Sequence, residues 1–259
     1  MSNIHTTAII EVGAKIGNNV KIGPFVTISS QAIIGNDTVI DAHTVIAGKT
    51  TIGKGNHIFS HAVIGSVPQD LKFNGEDVEL IIGDHNKIRE FTLLNPGTIG
   101  GGSITKIGNN NLLMGYVHLG HDVIMGNNCI LANGATLAGH VELGNNVVIG
   151  GLTPIHQFVH IGDYAMIGGA SALSQDIPPY CLAEGNRATL RGLNLTGLRR
   201  ALSRADINEL KIAYKELFES AEALQETAKI IQSRSSSTHV KNLVEFITKS
   251  KRGIPYRRK

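Results

Sequence analysis

Isoleucine occupies every sixth position from Ile4 to Ile64, eleven consecutive steps that include Ile10, Ile22, Ile34, Ile46 and Ile58. The series resumes at Ile82, Ile88 and Leu94. After a shift of phase it runs from Ile107 through Leu113, Leu119, Met125, Leu131, Leu137, Leu143, Ile149, Ile155, Ile161 and Ile167 to Leu173. Small or β-branched residues such as Ala8, Val20, Val26, Ala62, Val123, Ala135 and Val159 stand four positions after most members of the series. A period of six is neither the helical 3.6 nor the simple strand period of two. It fits a short strand plus a turn with one large side chain turned inward, the hexad of a parallel β-helix. A Gly-Asn pair recurs at a spacing of 18, at Gly17 and Gly35 and again at Gly108, Gly126 and Gly144. Because glycine and asparagine tolerate the left-handed backbone of a tight corner, this predicts three faces and three corners per coil, with the conformation assigned to the pair itself. At about 4.8 Å per stacked strand, eight to nine coils make a triangular prism roughly 40 Å tall. The period leaves the hand of the coil open.

Two stretches break the rhythm. Between Ile64 and Ile82 the inward positions would fall on Asp70 and Glu76, so Ser66 to Gly75 reads as a loop thrown out of the prism. Between Leu94 and Ile107 lies Gly100-Gly-Gly-Ser103, a second excursion. Long excursions from a regular scaffold are either functional or simply tolerated, and length alone does not decide between the two. The hexads stop after Pro178-Pro179, and Ile207, Leu210, Tyr214 and Leu217 then follow at helical spacing, as do Val240, Leu243, Val244 and Ile247. Ser203 followed by Asp206 predicts a helix start. The chain divides into an all-β prism over residues 1–186 and a small α-helical domain over 187–259, which would also cover the open strand edges of the last coil.

Composition narrows the class. With 42% hydrophobic and 17% charged residues among 259, the chain can build a folded core. No run approaches the roughly 20 apolar residues that cross a bilayer, and Met1 to Ile10 lacks the pattern of a signal peptide, so a cytoplasmic protein is expected. Cys129 and Cys181 are too few for a disulfide framework and read as small core residues. Residues 1–186 carry a net charge of −6 and residues 187–259 a net charge of +9. A basic end on an acidic body suits an acidic partner, whereas 5% aromatic residues and the lack of a recognition motif speak against nucleic acid.

The chemistry concentrates in the second block of hexads. Residues 18 apart stack, so His121, Gly139 and Gln157 form one column and Asp122, His140 and Phe158 the next. One corner therefore gathers imidazoles, a carboxylate, a bare backbone amide and a carboxamide, with His118 and His156 alongside. Histidine suits proton abstraction near neutral pH, a neighbouring carboxylate orients it, and a corner glycine leaves its N–H open to an oxyanion. There is no Gly-x-Ser-x-Gly elbow and no cysteine in the column, which favours direct transfer with His121 as general base. A zinc site is the rival, since some trimeric hexapeptide proteins hold a metal with three histidines across a subunit boundary. His5, His43, His57, His61, His85, His160 and His239 read as turn residues bonded to backbone.

Pro68-Gln-Asp-Leu-Lys72, Asn111-Leu-Leu-Met114, His118-Leu-Gly-His-Asp122, Cys129-Ile-Leu-Ala-Asn133, Ala135 to His140, Ile155-His-Gln-Phe158 and Asp176 to Tyr180, together with the helical tail, resemble the UDP-N-acetylglucosamine acyltransferase family over almost the whole chain. The resemblance implies a left-handed parallel β-helix, a homotrimer with sites between subunits, and no cofactor beyond the phosphopantetheine of acyl carrier protein. It implies transfer of a 3-hydroxyacyl group from acyl carrier protein to the 3-position of UDP-N-acetylglucosamine, or of its 3-amino analogue, at the start of lipid A synthesis. Carried over residue by residue, it makes His121 the general base supported by Asp122, and the Gly139 amide the oxyanion donor. Asp70, Lys72, His118, His140, His156 and Gln157 become substrate contacts, Asn194 and Arg200 reach the uridine diphosphate end, and Gly169 and Arg187 lie at the acyl chain end. Asn133, Gly151, Gly169 and Arg187 form one column, on a different corner from His121. Three positions depart from the family pattern: Thr196 stands in place of a glutamate, Arg187 in place of a histidine, and Asn95-Pro96 in place of a histidine-containing turn. Rivals are a related acyltransferase acting on a glucosamine amine, a metal-dependent enzyme of the carbonic anhydrase type, and a solenoid without chemistry.

Overall fold

A computed structural model of the chain describes every residue except Met1, Ala221 and 257–259, so the last three positions of the basic tail lie outside the described residues. Strands mostly two residues long stack into three sheets of eleven, eight and eight strands. Pairing is parallel, and the partners in the regular coils are 18 apart, as in Ile4 with Ile22 and His118 with Thr136. The hexad side chains fill the prism. Ile28, Ile40, Ile58, Leu94, Leu119, Leu137 and Ile167 are fully buried, while Ile4 is 43% exposed because no coil lies beneath the first.

The left-handed backbone sits one residue beyond the Gly-Asn pair, which corrects the sequence expectation: Asn19, Asp37, Asn110, Asn128 and Asn146 have φ between 56° and 58°. The glycine of the pair answers to stacking instead. A Cβ on Gly35 would lie 2.4 Å from the Gly53 carbonyl carbon. The asparagine forms a ladder, in which the Asn109 amide N–H donates to Asn127 Oδ1 at 2.7 Å, Asn127 to Asn145 at 2.9 Å, and Asn145 to Asp163 at 2.7 Å. Corner N–H groups that no strand can pair are thereby satisfied.

Both excursions leave the same corner, the one joining the second sheet to the third. The first lies between strands Val63–Ile64 and Glu79–Ile82, the second between Leu93–Leu94 and Ile104–Ile107, and the next coil carries His121 at that corner. Asn95 stitches the two together, its Nδ2 donating to the carbonyls of Ser66 and Val67 at 3.0 and 3.1 Å. That gives the Asn95-Pro96 departure a structural role.

The last coil is short. Met166 pairs with Leu182 and Ile167 with Ala183, a register of 16, after which Cys181–Glu184 and Thr189–Leu193 form an antiparallel hairpin that the hexad pattern does not predict. Four helices follow: α1 (Leu195–Ala201), α2 (Arg204–Phe218), α3 (Leu224–Arg234) and α4 (Thr238–Lys249). Ser203 caps α2 as expected, accepting from the Asp206 N–H at 3.1 Å while its hydroxyl donates to Asp206 Oδ2 at 2.6 Å. The helices are tied to the prism through Tyr180, whose hydroxyl meets His239 Nδ1 and Asn242 Nδ2, and through Asp176, which accepts from Ser250. Among the described residues no helix is long and apolar enough to cross a membrane.

Candidate active site

His121 lies in the corner turn after strand His118–Leu119, and its ring packs flat enough on Gly139 that a Cβ there would lie 2.6 Å from Nε2. Nδ1 is 2.7 Å from Asp122 Oδ2. An ionised carboxylate only accepts, so in the neutral ring Nδ1 carries the proton and Nε2 the lone pair. The Asp122 side chain is 1% exposed, against 17% for His121. Buried carboxylates need donors, and this one has them: the Thr98 N–H to Oδ1 at 2.8 Å and the Thr98 hydroxyl to Oδ2 at 2.6 Å. The Asp122 backbone, at φ 61°, is held by its N–H donating to Thr105 Oγ1 at 2.8 Å.

His140 stands one coil on. Its Nε2 is 3.8 Å from Asp122 Oδ2, its ring meets His121 edge-on at 5.0 Å, and Phe158 stacks on it at 4.4 Å. Burial holds its pKa below the ordinary histidine value; Asp122 draws it up, His121 pushes it down, and Asp70 draws it up. The last influence brings the first excursion to the corner. His118 is also held low, chiefly by burial, against a hydrogen bond of Nδ1 to the Leu93 carbonyl at 3.2 Å and with repulsion from His121. In both rings burial favours the neutral, hydrogen-bonding form. His121, Asp122 and His140 could offer a metal three ligand atoms within 4.8 Å of one another, but both Asp122 oxygens already accept from Thr98 and His121.

The other sequence-selected residues divide by place. Asp70 caps its own loop, accepting from the Lys72 N–H at 3.0 Å, with the Lys72 side chain exposed. His156 and Gln157 are exposed at the same corner, one coil beyond His140. Gly169 is exposed on a different corner, as expected. The spacing of 18 that would stack Arg187 on it breaks in the last coil, where Ile167 pairs with Ala183 and Ala172 bridges Asn186, and Arg187 follows with left-handed backbone. Asn194 is buried, its Oδ1 capping α1 through the Gly197 N–H and its Nδ2 donating to the Tyr164 carbonyl, so its amide is engaged within the chain. Arg200 is exposed in the last turn of α1, as is Thr196 earlier in that helix.

Comparison with known proteins places this corner in context. A family model described as UDP-N-acetylglucosamine O-acyltransferase, domain 2, matches residues 176–255, and one for the bacterial transferase hexapeptide matches 13–48 and 104–139. A protein of Sulfurovum sp. (strain NBC37-1) named acyl-(acyl-carrier-protein)–UDP-N-acetylglucosamine O-acyltransferase is 72% identical over 259 residues, all of both chains. A protein of the same name from Sulfurimonas denitrificans is 73% identical, covering 100% of this chain and 99% of its own. The solved UDP-N-acetylglucosamine acyltransferase of Campylobacter jejuni superposes with a TM-score of 0.96 at 48% identity, over 99% of this chain and 100% of that one. This chain belongs to the UDP-N-acetylglucosamine O-acyltransferase family. As an acyltransferase of that family it meets the expectation drawn from its motifs.

Against that family background, two features escaped the sequence reading. Thr98 contacts Asp122 across 24 residues, a separation that is no multiple of 18, so the coil arithmetic does not pair them. The glycines of Gly100-Gly-Gly-Ser103 were the available signal, since a tight turn beside a site often marks a close approach. His5 holds the expected backbone bond, its Nδ1 accepting from the Thr7 N–H at 3.2 Å, and His43 and His61 lie in turns with left-handed backbone, but several rings make side-chain contacts as well. His57 pairs with Asp41 at 2.8 Å, and His43 and His61 stack between Phe25 and Phe91 in a ring ladder that Tyr116 continues. The two cysteines are buried as expected, burial pushing the Cys129 thiol up to about 11.

Proposed function

We propose that this chain transfers a 3-hydroxyacyl group from acyl carrier protein to the 3-position of UDP-N-acetylglucosamine, or of its 3-amino analogue, by direct attack with His121 as general base. The observation that carries the reading is the His121–Asp122 pair lying over Gly139. The acceptor's proton passes to His121 Nε2 as its oxygen or nitrogen attacks the thioester carbonyl, and Asp122 stabilises the imidazolium. The tetrahedral oxyanion takes the Gly139 N–H, which donates to no acceptor among the described residues. Collapse expels the thiolate of acyl carrier protein, which recovers the proton from His121.

The remaining parts of the reading rest on the family resemblance: a left-handed coil, a homotrimer, a cytoplasmic reaction, and no cofactor other than the carrier's phosphopantetheine. Asp70, Lys72, His118, His140, His156 and Gln157 contact the sugar nucleotide at one corner, and Gly169 and Arg187 the acyl end at another. Arg200 meets the diphosphate end, where Asn194 sets the start of the helix that carries it. The −6 prism and +9 tail fit an acidic carrier protein docking on the tail.

The test is an assay with 3-hydroxyacyl-acyl carrier protein and UDP-N-acetylglucosamine or its 3-amino analogue, following the acylated sugar nucleotide by mass. His121→Ala is expected to lose at least about 10³-fold in kcat, since a general base and its orienting pair act together, with melting temperature and oligomeric state unchanged. Normal turnover in that variant overturns the assignment.

A further inference from the structure

We propose that Thr98, seated by Gly101, is a positioning residue that commits the Asp122 carboxylate to His121 and keeps it from His140. The inference rests on His121 being the general base.

Asp122 stands between two imidazoles, with Oδ2 at 2.7 Å from His121 Nδ1 and 3.8 Å from His140 Nε2. The carboxylate torsion of an aspartate is soft, so neither neighbour by itself fixes the plane. Thr98 does. It places one donor on each oxygen, its N–H on Oδ1 at 2.8 Å and its hydroxyl on Oδ2 at 2.6 Å, a two-point grip that sets the carboxylate plane as well as its position.

The loop is built to deliver that grip. Thr98 is the extended residue before the 3₁₀ turn Ile99–Gly101, the place where a threonine normally caps its own helix, yet its hydroxyl makes no cap bond and is used on Asp122. Its carbonyl accepts from Gly101 at 3.0 Å and Ser103 at 2.8 Å, which closes the loop on itself. Gly102 and Ser103 take left-handed backbone at φ 95° and 65° to make the reversal. Gly101 then lies so close to the carboxylate that a Cβ would sit 2.0 Å from Asp122 Cγ and 2.3 and 2.4 Å from its oxygens. Thr98 is 6% exposed and the Asp122 side chain 1%, so both halves of the contact are covered from solvent.

The chemical consequence is a tautomer. With Oδ2 held on Nδ1, His121 keeps its proton there and its lone pair on Nε2, over Gly139. Without the hydroxyl, the carboxylate turns toward His140, Nδ1 loses its acceptor, and the non-productive tautomer gains population. The groups facing His121 are then His118 and His140, in both of which burial favours the neutral form, and a displaced Asp122. Loss of the direct Nδ1–Oδ2 hydrogen bond makes the imidazolium harder to form, so the acid limb of the kcat/KM profile moves to lower pH.

The experiment compares Thr98→Val, which removes the hydroxyl at nearly constant shape and keeps the N–H, with Thr98→Ser, which restores it. Thr98→Val is expected to lower kcat about 10- to 100-fold, the usual cost of losing a partner that orients a histidine, with both KM values unchanged and the acid limb shifted down. Thr98→Ser should recover most of the kcat and the wild-type limb. A crystal structure of Thr98→Val should show an Asp122 oxygen within hydrogen-bond distance of His140 Nε2. A Thr98→Val enzyme with unchanged kcat and limb, or a Thr98→Ser enzyme as impaired as Thr98→Val, overturns the inference. Gly101→Ala gives an independent approach from the loop side and should reproduce the kcat loss and limb shift; wild-type kinetics there also overturn it. The two readings fail separately: if His121→Ala is active the general-base assignment falls, whereas an inactive His121→Ala beside a normal Thr98→Val removes the positioning role alone.

Discussion

A methyl group on Gly139 would lie 2.5 Å from Cε1 and 2.6 Å from Nε2 of His121, closer than packed atoms approach, so the glycine and the ring define each other's place. Gly139→Ala should therefore push the ring away and lower kcat on the order of 10²-fold, the effect of misplacing a reacting group by about an ångström. Steady-state kinetics beside a melting curve checks this, and an unchanged kcat would mean that the ring moves without consequence. The adjacency of His121 and Gly139 was legible in the sequence, because a coil of 18 places them together whatever the rest of the chain does. Thr98 was not, since its contact with Asp122 depends on how the loop between Leu94 and Ile104 folds. Asn194 has a structural role that its motif did not disclose, its amide bonding the Gly197 N–H and the Tyr164 carbonyl at the start of α1.

At the scale of elements, the strands were readable one by one because each repeats the same alternation of an inward isoleucine or leucine and a turn. Helices α2 and α4 were readable for a different reason: each buries one apolar stripe, Ile207, Leu210 and Leu217 in the first and Val240, Leu243, Val244 and Ile247 in the second. Helix α3 is preceded by Ala223, whose methyl group cannot accept a capping hydrogen bond, and gave no start signal. The Ser203 cap on α2 is reciprocal with Asp206, and Ser203→Ala is expected to cost about 1 kcal/mol of stability. Chemical denaturation with the tail intact measures it. A shift indistinguishable from zero would place the stability of α2 wholly in its packing.

Over the whole molecule, the proposed site needs two corners that do not meet within one chain: the His121 corner and the Gly169 corner. Gly169 is exposed, and a Cβ there meets only the Gly151 backbone at 3.5 and 3.7 Å, an ordinary contact, so a larger side chain fits without disturbing the prism. Gly169→Met should shorten the accepted acyl chain. Co-expression of His121→Ala with Gly169→Met chains should then restore the original chain preference, since in the proposed trimer a mixed assembly pairs an intact His121 corner with an intact Gly169 corner. Competition between acyl-acyl carrier proteins of different length reads the result. A mixed preparation that keeps the short preference of Gly169→Met alone would place both corners' functions within a single subunit.

The sequence by itself determined the repeating unit, the coil length and therefore which side chains within a regular run lie on top of one another. Each of these follows from local spacing and from the burial of one apolar residue per strand. Tertiary structure decided what breaks that spacing. It set both excursions on the corner that His121 occupies one coil later, brought Thr98 onto Asp122, and shortened the last coil so that the spacing of 18 behind the Gly169–Arg187 column does not hold there. An insertion removes the fixed register that makes stacking predictable, and hydrogen bonds between segments separated by an arbitrary number of residues then choose where the chain comes to rest.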